Sequence, residues 1–136
     1  MFRALSVAVA TVALLGTGAL PASAATASHP KPKVHNFAIP GGTGIRAWGS
    51  YSSSGGSVHV TVCVRETSPN VILTVAAGIA FNKNLSRHQQ VSADILGHGK
   101  QVCRSMTTKD TAHLFVSAVS VTADGHSHIG KMKKLY

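Results

Sequence analysis

Histidine, carboxylate and cysteine side chains are the groups in this sequence most able to do chemistry, and it contains eight, four and two of them respectively. His126 and His128 are alternate residues near the end of the chain. Alternate residues of a strand point to one side, so these two imidazoles are the best candidates to share a divalent ion. Two ligands do not complete a site, and a third would have to be Asp124 or come from another strand, such as His59 or His98. The carboxylates Glu66, Asp94, Asp110 and Asp124 are spread along the chain. A paired-carboxylate mechanism needs two of them within about 5–9.5 Å, and no spacing here argues for that. Neither a G-x-S-x-G turn nor an H-E-x-x-H helix occurs. Gly97-His98-Gly99-Lys100 resembles the end of a phosphate-binding loop only superficially. Asp94 and Gln101 stand where Gly and Ser or Thr are required. The expectation is therefore a protein that is not an enzyme, with no metal and no cofactor.

The cysteines point to compartment and stability instead. Met1-Phe2-Arg3, an apolar run from Ala4 to Leu15 and the small triplet Ala22-Ser23-Ala24 have the pattern of a secretory signal peptide over residues 1–24. The apolar run falls short of the roughly 18 residues of a spanning helix. Export delivers Cys63 and Cys103 to an oxidising compartment, where the only available pair is expected to form a disulfide. In the chain-entropy model, closing so long a loop is worth about 4 kcal/mol. No later window is long enough to span a bilayer, so the expectation is a secreted, extracellular protein with no transmembrane segment in its mature part.

Charge is the most lopsided feature of the composition. Thirteen Lys and Arg against four acidic residues give +9 at pH 7 with histidines neutral. Such a field draws polyanions: an acidic cell-envelope polymer, anionic headgroups or an acidic protein. Arg46, Arg65, Lys109, Lys131, Lys133 and Lys134 are the candidate contacts. A nucleic-acid partner is not expected. The aromatic residues Phe37, Trp48, Tyr51, Phe81, Phe115 and Tyr136 are too few to make a stacking platform once the core takes its share.

The elements that must position these groups read as strands. Residues 25–44 are small, polar and proline-punctuated, and are expected to form a flexible arm in which Val34 to Ile39 can add one short strand. Residues 45–136 form a single β domain. Within it, apolar or alternating runs are separated by turn residues at Gly55-Gly56, Pro69-Asn70, Gly97 to Gly99, Lys109-Asp110 and Asp124-Gly125. A two-residue Gly55-Gly56 turn sets Tyr51 opposite Val60, Gly49 opposite Val62, Ala47 opposite Val64 and Trp48 opposite Cys63. Val71 to Phe81 is almost continuously apolar, which predicts a central strand covered on both sides, with Gly78 marking a bulge or a close approach. Asp124-Gly125 predicts a two-residue hairpin turn with His128 opposite Val121. The fold class is all-β: a small antiparallel β-sandwich of about seven strands and Ig-like size with one disulfide, or alternatively a small β-barrel.

The function that fits is a secreted, non-catalytic, basic β domain binding an acidic cell-envelope polymer or protein partner. The alternative is a protease inhibitor presenting a rigid loop, Thr67 to Asn70 or Asn82 to Ser86. A small hydrolase is the third reading. Asn84-Leu85-Ser86 satisfies the N-glycosylation pattern.

Overall fold

The computed structural model describes residues 30–97 and 99–136. The expected signal peptide and His98 lie outside the described residues. Nine strands follow in order: β1 (Val34–Ile39), β2 (Ile45–Ser54), β3 (Ser57–Glu66), β4 (Val71–Phe81), β5 (His88–Leu96), β6 (Gln101–Lys109), β7 (His113–Thr122), β8 (Ser127–Ile129) and β9 (Lys133–Lys134). The first sheet has the order β1-β2-β3-β6. The second has the order β5-β4-β7-β8, with β9 also paired to β7. Every pairing is antiparallel, and the two open sheets face one another as a sandwich.

Local chemistry accounts for the registers. Gly55 and Gly56 both adopt positive φ, 56° and 79°, as a type I′ turn requires. This two-residue turn pairs Tyr51 with Val60, Trp48 with Cys63 and Ala47 with Val64, as the sequence predicts. Continuing across the sheet, Cys63 pairs with Cys103, and the two form the expected disulfide.

Three differences from the sequence reading lie near the ends of the chain. The segment expected to be an arm does not run to residue 44, because β1 pairs with β2 along its length and buries Phe37 and Ile39 in the core. The Asp124-Gly125 hairpin has a three-residue loop, with Gly125 at φ 83°, Thr122 and His126 closing it, and His128 opposite Ser120 rather than Val121. The third loop residue is accommodated because Asp124 accepts hydrogen bonds from the Thr122 hydroxyl and the His126 N–H, and glycine takes the left-handed position. The single final strand expected there is also broken in two. Gly130 N–H donates to Ala118 O, whereas Lys133 lies opposite Val116, so the register slips by one residue. A Cβ on Gly130 would fall 1.9 Å from the carbonyl oxygen of Pro40, so only glycine fits.

The core is asymmetric. The first sheet sends in Val58, Val60, Val62 and Val64 from β3 and Phe37 and Ile39 from β1. The second sends in small residues from β4, namely Ala76, Gly78 and Ala80, and a mixture from its other strands: Val91, Ala93 and Ile95 from β5 and Leu114, Val116 and Ala118 from β7. Gly78 marks a close approach rather than a bulge. Its register is continuous, and a Cβ there would stand 3.3 Å from Val62 Cγ1 and 3.4 Å from Val91 Cγ1. The larger residues of β4, including Leu73, Val75, Ile79 and Phe81, alternate outward and are half-buried. Among the described residues β4 is thus covered on one side only, not on both as its apolar run predicts, because that run alternates small inward with large outward residues.

Candidate anion-binding surfaces

Strand alternation and the β2-β3-β6 register decide what the outer face of the first sheet displays. Its rows read Arg46–Arg65–Gln101, Trp48–Cys63–Cys103, Ser50–Thr61–Ser105 and Ser52–His59–Thr107. Arg46 and Arg65 are direct cross-strand partners, both exposed. The Arg46 guanidinium also lies 5.7 Å from the centre of the Trp48 ring, within range of a cation–π contact. Thr61 Oγ1 and Ser105 Oγ share a hydrogen bond at 2.7 Å, and His59 Nδ1 and Thr107 Oγ1 another at 2.9 Å.

No acidic side chain occupies an outward position on this sheet. Glu66, next to Arg65, turns inward and is buried, where one carboxylate oxygen accepts from the Thr74 hydroxyl at 3.4 Å and the other has no partner. Asp94 lies on β5 in the other sheet, and Asp110 and Asp124 sit in turns. Among the described residues the one ion pair within 4.0 Å is His126 with Asp124, at 3.7 Å. Arg46 and Arg65 therefore face each other without a counter-charge.

The other cations expected to make contacts do not join them in one patch. Lys109 pairs with Ser57, eight positions along β3 from Arg65, which is about 26 Å at 3.3 Å per residue. Lys133 and Lys134 lie opposite Val116 and Phe115 in the second sheet, and Lys131 precedes them in the link from β8. Lys133 Nζ nevertheless reaches Ala38 O on the edge of the first sheet at 3.5 Å. Ala38 pairs with Trp48. The histidine pair is not assembled as a metal site: His126 lies in the turn and His128 on β8, and no group of three His, Cys, Asp or Glu able to hold an ion exists among the described residues.

One site was not found by sequence reasoning. At the Lys109 end of the sandwich, a cleft of about 440 Å³ opens between the β4–β5 and β6–β7 connections, lined by Arg87, His88, Lys109, Thr107, Thr111 and Phe81 among others. The Asn82 side chain braces one wall: its Oδ1 accepts from the N–H groups of Ser86 at 3.0 Å and Arg87 at 3.3 Å. Asp110, on the other wall, has φ 54° and donates its N–H to Gly56 O at 3.1 Å. Phe81 is held edge-on by Phe115, with centroids 5.8 Å apart, and lies 5.7 Å from the His88 ring. Arg87 and Lys109 are far apart in sequence, so only the packing of β5 beside β6 across the two sheets brings them to one opening.

No protein-family model matches the sequence, and no curated protein sequence matches it. Among solved structures, the chain is similar to an endonuclease/exonuclease/phosphatase from Beutenbergia cavernae, with a TM-score of 0.49 and 17% identity over 76% of this chain and 27% of that one. This chain thus spans about a quarter of that structure's length, and no activity is carried over from it.

Proposed function

We propose that this protein is a secreted, non-catalytic module whose first sheet binds an acidic polymer of the cell envelope across its outer face. The observation that carries this reading is the Arg46–Arg65 cross-strand pair on a face with no acidic residue. Like charges directly opposite on antiparallel strands destabilise a sheet by a few tenths of a kcal/mol to about 1 kcal/mol. A polyanion laid over the pair turns that repulsion into attraction, and guanidinium forks grip carboxylates and phosphates bidentately. The hydroxyl and imidazole rows beside the arginines supply donors to polymer oxygens, and Trp48 offers a ring face. The disulfide is compatible with an extracellular location.

Retention on an immobilised polyuronate or a polyglycerol phosphate tests the reading. Wild-type protein is expected to bind at about 50 mM salt and elute as salt rises, and Arg46→Gln/Arg65→Gln is expected to elute much earlier. Absence of retention at low salt, or a double variant that elutes with wild type, overturns it.

A second reading is favoured by one observation. The Asn82 to Arg87 loop is fixed by its own side-chain hydrogen bonds and exposes Leu85 at φ 56°. Rigid loops of this kind suit an inhibitor, for which stoichiometric inhibition across a protease panel, lost in Leu85→Gly, is the measurement.

A further inference from the structure

We propose that the cleft at the Lys109 end is a separate binding site for a single anionic sugar unit, one bearing a carboxylate or a phosphate. The site does not depend on polymer binding at Arg46 and Arg65. Its position beside Lys109 places it about 26 Å along the sandwich from Arg65.

Two features of the cleft define the ligand. The first is charge: Arg87 and Lys109 both line it, and neither has a carboxylate within 4.0 Å among the described residues, although Asp110 lines the same cleft. Two unpaired cations at one opening favour an anionic group, and Arg87 can hold it bidentately. The second is the mixture of neutral donors and acceptors. Thr107 and Thr111, whose hydroxyls also bond to His59 and Thr108, retain hydrogen-bonding capacity at the cleft, and Asp110 adds an acceptor, a set suited to sugar hydroxyls and superfluous for a bare ion.

Size and rigidity agree with this. A cleft of about 440 Å³ is at the small end of ligand sites, which run from about 300 to 1,000 Å³. It therefore admits one or two sugar rings rather than a long segment. Arg87 leaves a loop already braced by Asn82. Little ordering is left for the ligand to impose.

Amide-resolved NMR titration of the intact protein with glucuronate, glucose 6-phosphate, glucose and inorganic phosphate tests the assignment. Glucuronate or glucose 6-phosphate is expected to shift Arg87, His88, Lys109 and Thr111 together, with glucose and inorganic phosphate at least about tenfold weaker. The stronger of the two acidic sugars identifies the anion. Arg87→Gln and Lys109→Gln are each expected to weaken binding about tenfold or more, since each removes a charge-assisted hydrogen bond. Arg46→Gln/Arg65→Gln is expected to leave sugar binding intact while losing polymer retention, and Arg87→Gln to do the reverse, so the two sites fail separately. The proposal is overturned if neither acidic sugar shifts the cleft at about 10 mM, if the shifts fall elsewhere, or if inorganic phosphate binds as tightly as the sugar phosphate.

Discussion

The outer faces of the two sheets differ most along their central strands, β3 and β4. The first sheet shows water Arg46, Arg65, Ser50, Thr61, His59 and Thr107; on the second, β4 and β7 show Leu73, Val75, Ile79, Val119 and Val121, flanked by the polar row His88, Gln90, Ser92 and Asp94 of β5. At the margins of the second face, Leu96 and Ile129 are 77% and 75% exposed. Inside, the central strands differ: β3 of the first sheet contributes four fully buried valines, whereas β4 of the second contributes chiefly Ala76, Gly78 and Ala80, with Val91, Ile95, Leu114 and Val116 added by its neighbours β5 and β7. The lesson is that a strand's apolar content does not tell which of its faces is covered. β3 is polar outside and fills the core with bulk. β4 is apolar but for Thr74, yet from Ala76 to Ala80 it gives the core only small side chains, against which the facing valines pack closely.

The largest test of this contrast is the covalent tie, which only the first sheet has. Cys63 and Cys103 bridge β3 to β6 across a separation of 40 residues. Cys63→Ala/Cys103→Ala is expected to lose about 4 kcal/mol in denaturant unfolding, a large share of the roughly 5–15 kcal/mol typical of a domain. A loss below about 1 kcal/mol would mean that the sheet holds without its clamp. Next in size is a matched pair of truncations. Val62→Ala, at a site with 0% exposure, should cost about 2–3 kcal/mol in transfer and cavity terms. Val119→Ala, on the half-buried outer face of β7, should cost under about 1 kcal/mol. Equal losses would break the comparison, since they would show the second outer face to be covered in solution.

How much of this was legible in the sequence depended on whether the partner strand was adjacent. The Gly55-Gly56 turn fixed the β2–β3 register, and the same register that pairs Trp48 with Cys63 pairs Arg46 with Arg65. Their meeting was therefore implicit in the hairpin, although charge alone gave no reason to single them out from Lys109 or Lys134. The disulfide was legible because only one pairing existed. The cleft was not, because it needs β6 beside β3 and β5 near β6, and nothing local records either neighbour. The outward bulk of β4 was hidden for a different reason: a strand that alternates small and large apolar residues has no polar face to reveal its orientation. At the last hairpin, Asp124-Gly125 correctly marked a turn, but its length was set by hydrogen bonds from Thr122 and His126 that the dipeptide alone does not encode.

The smallest expected effect lies at that turn, on the edge of the second sheet. The Thr122 hydroxyl, donating to Asp124, is the main influence holding this carboxyl below its ordinary range, helped by the His126 N–H and the nearby His126 ring. A carboxyl with a lower pKa folded than unfolded adds stability above the unfolded value, about 3.9, and loses it as pH falls through the folded value. Asp124 is exposed to solvent, so the contribution is small. Asp124→Ala is accordingly expected to lower Tm slightly at pH 7, with the gap to wild type closing as the buffer is taken well below pH 4. A gap of the same size at about pH 2 and pH 7 would show that Asp124 acts through turn conformation rather than charge. In that event β8, only three residues long, would be placed by the backbone geometry of Gly125 alone, and the edge of the apolar sheet would owe nothing to electrostatics.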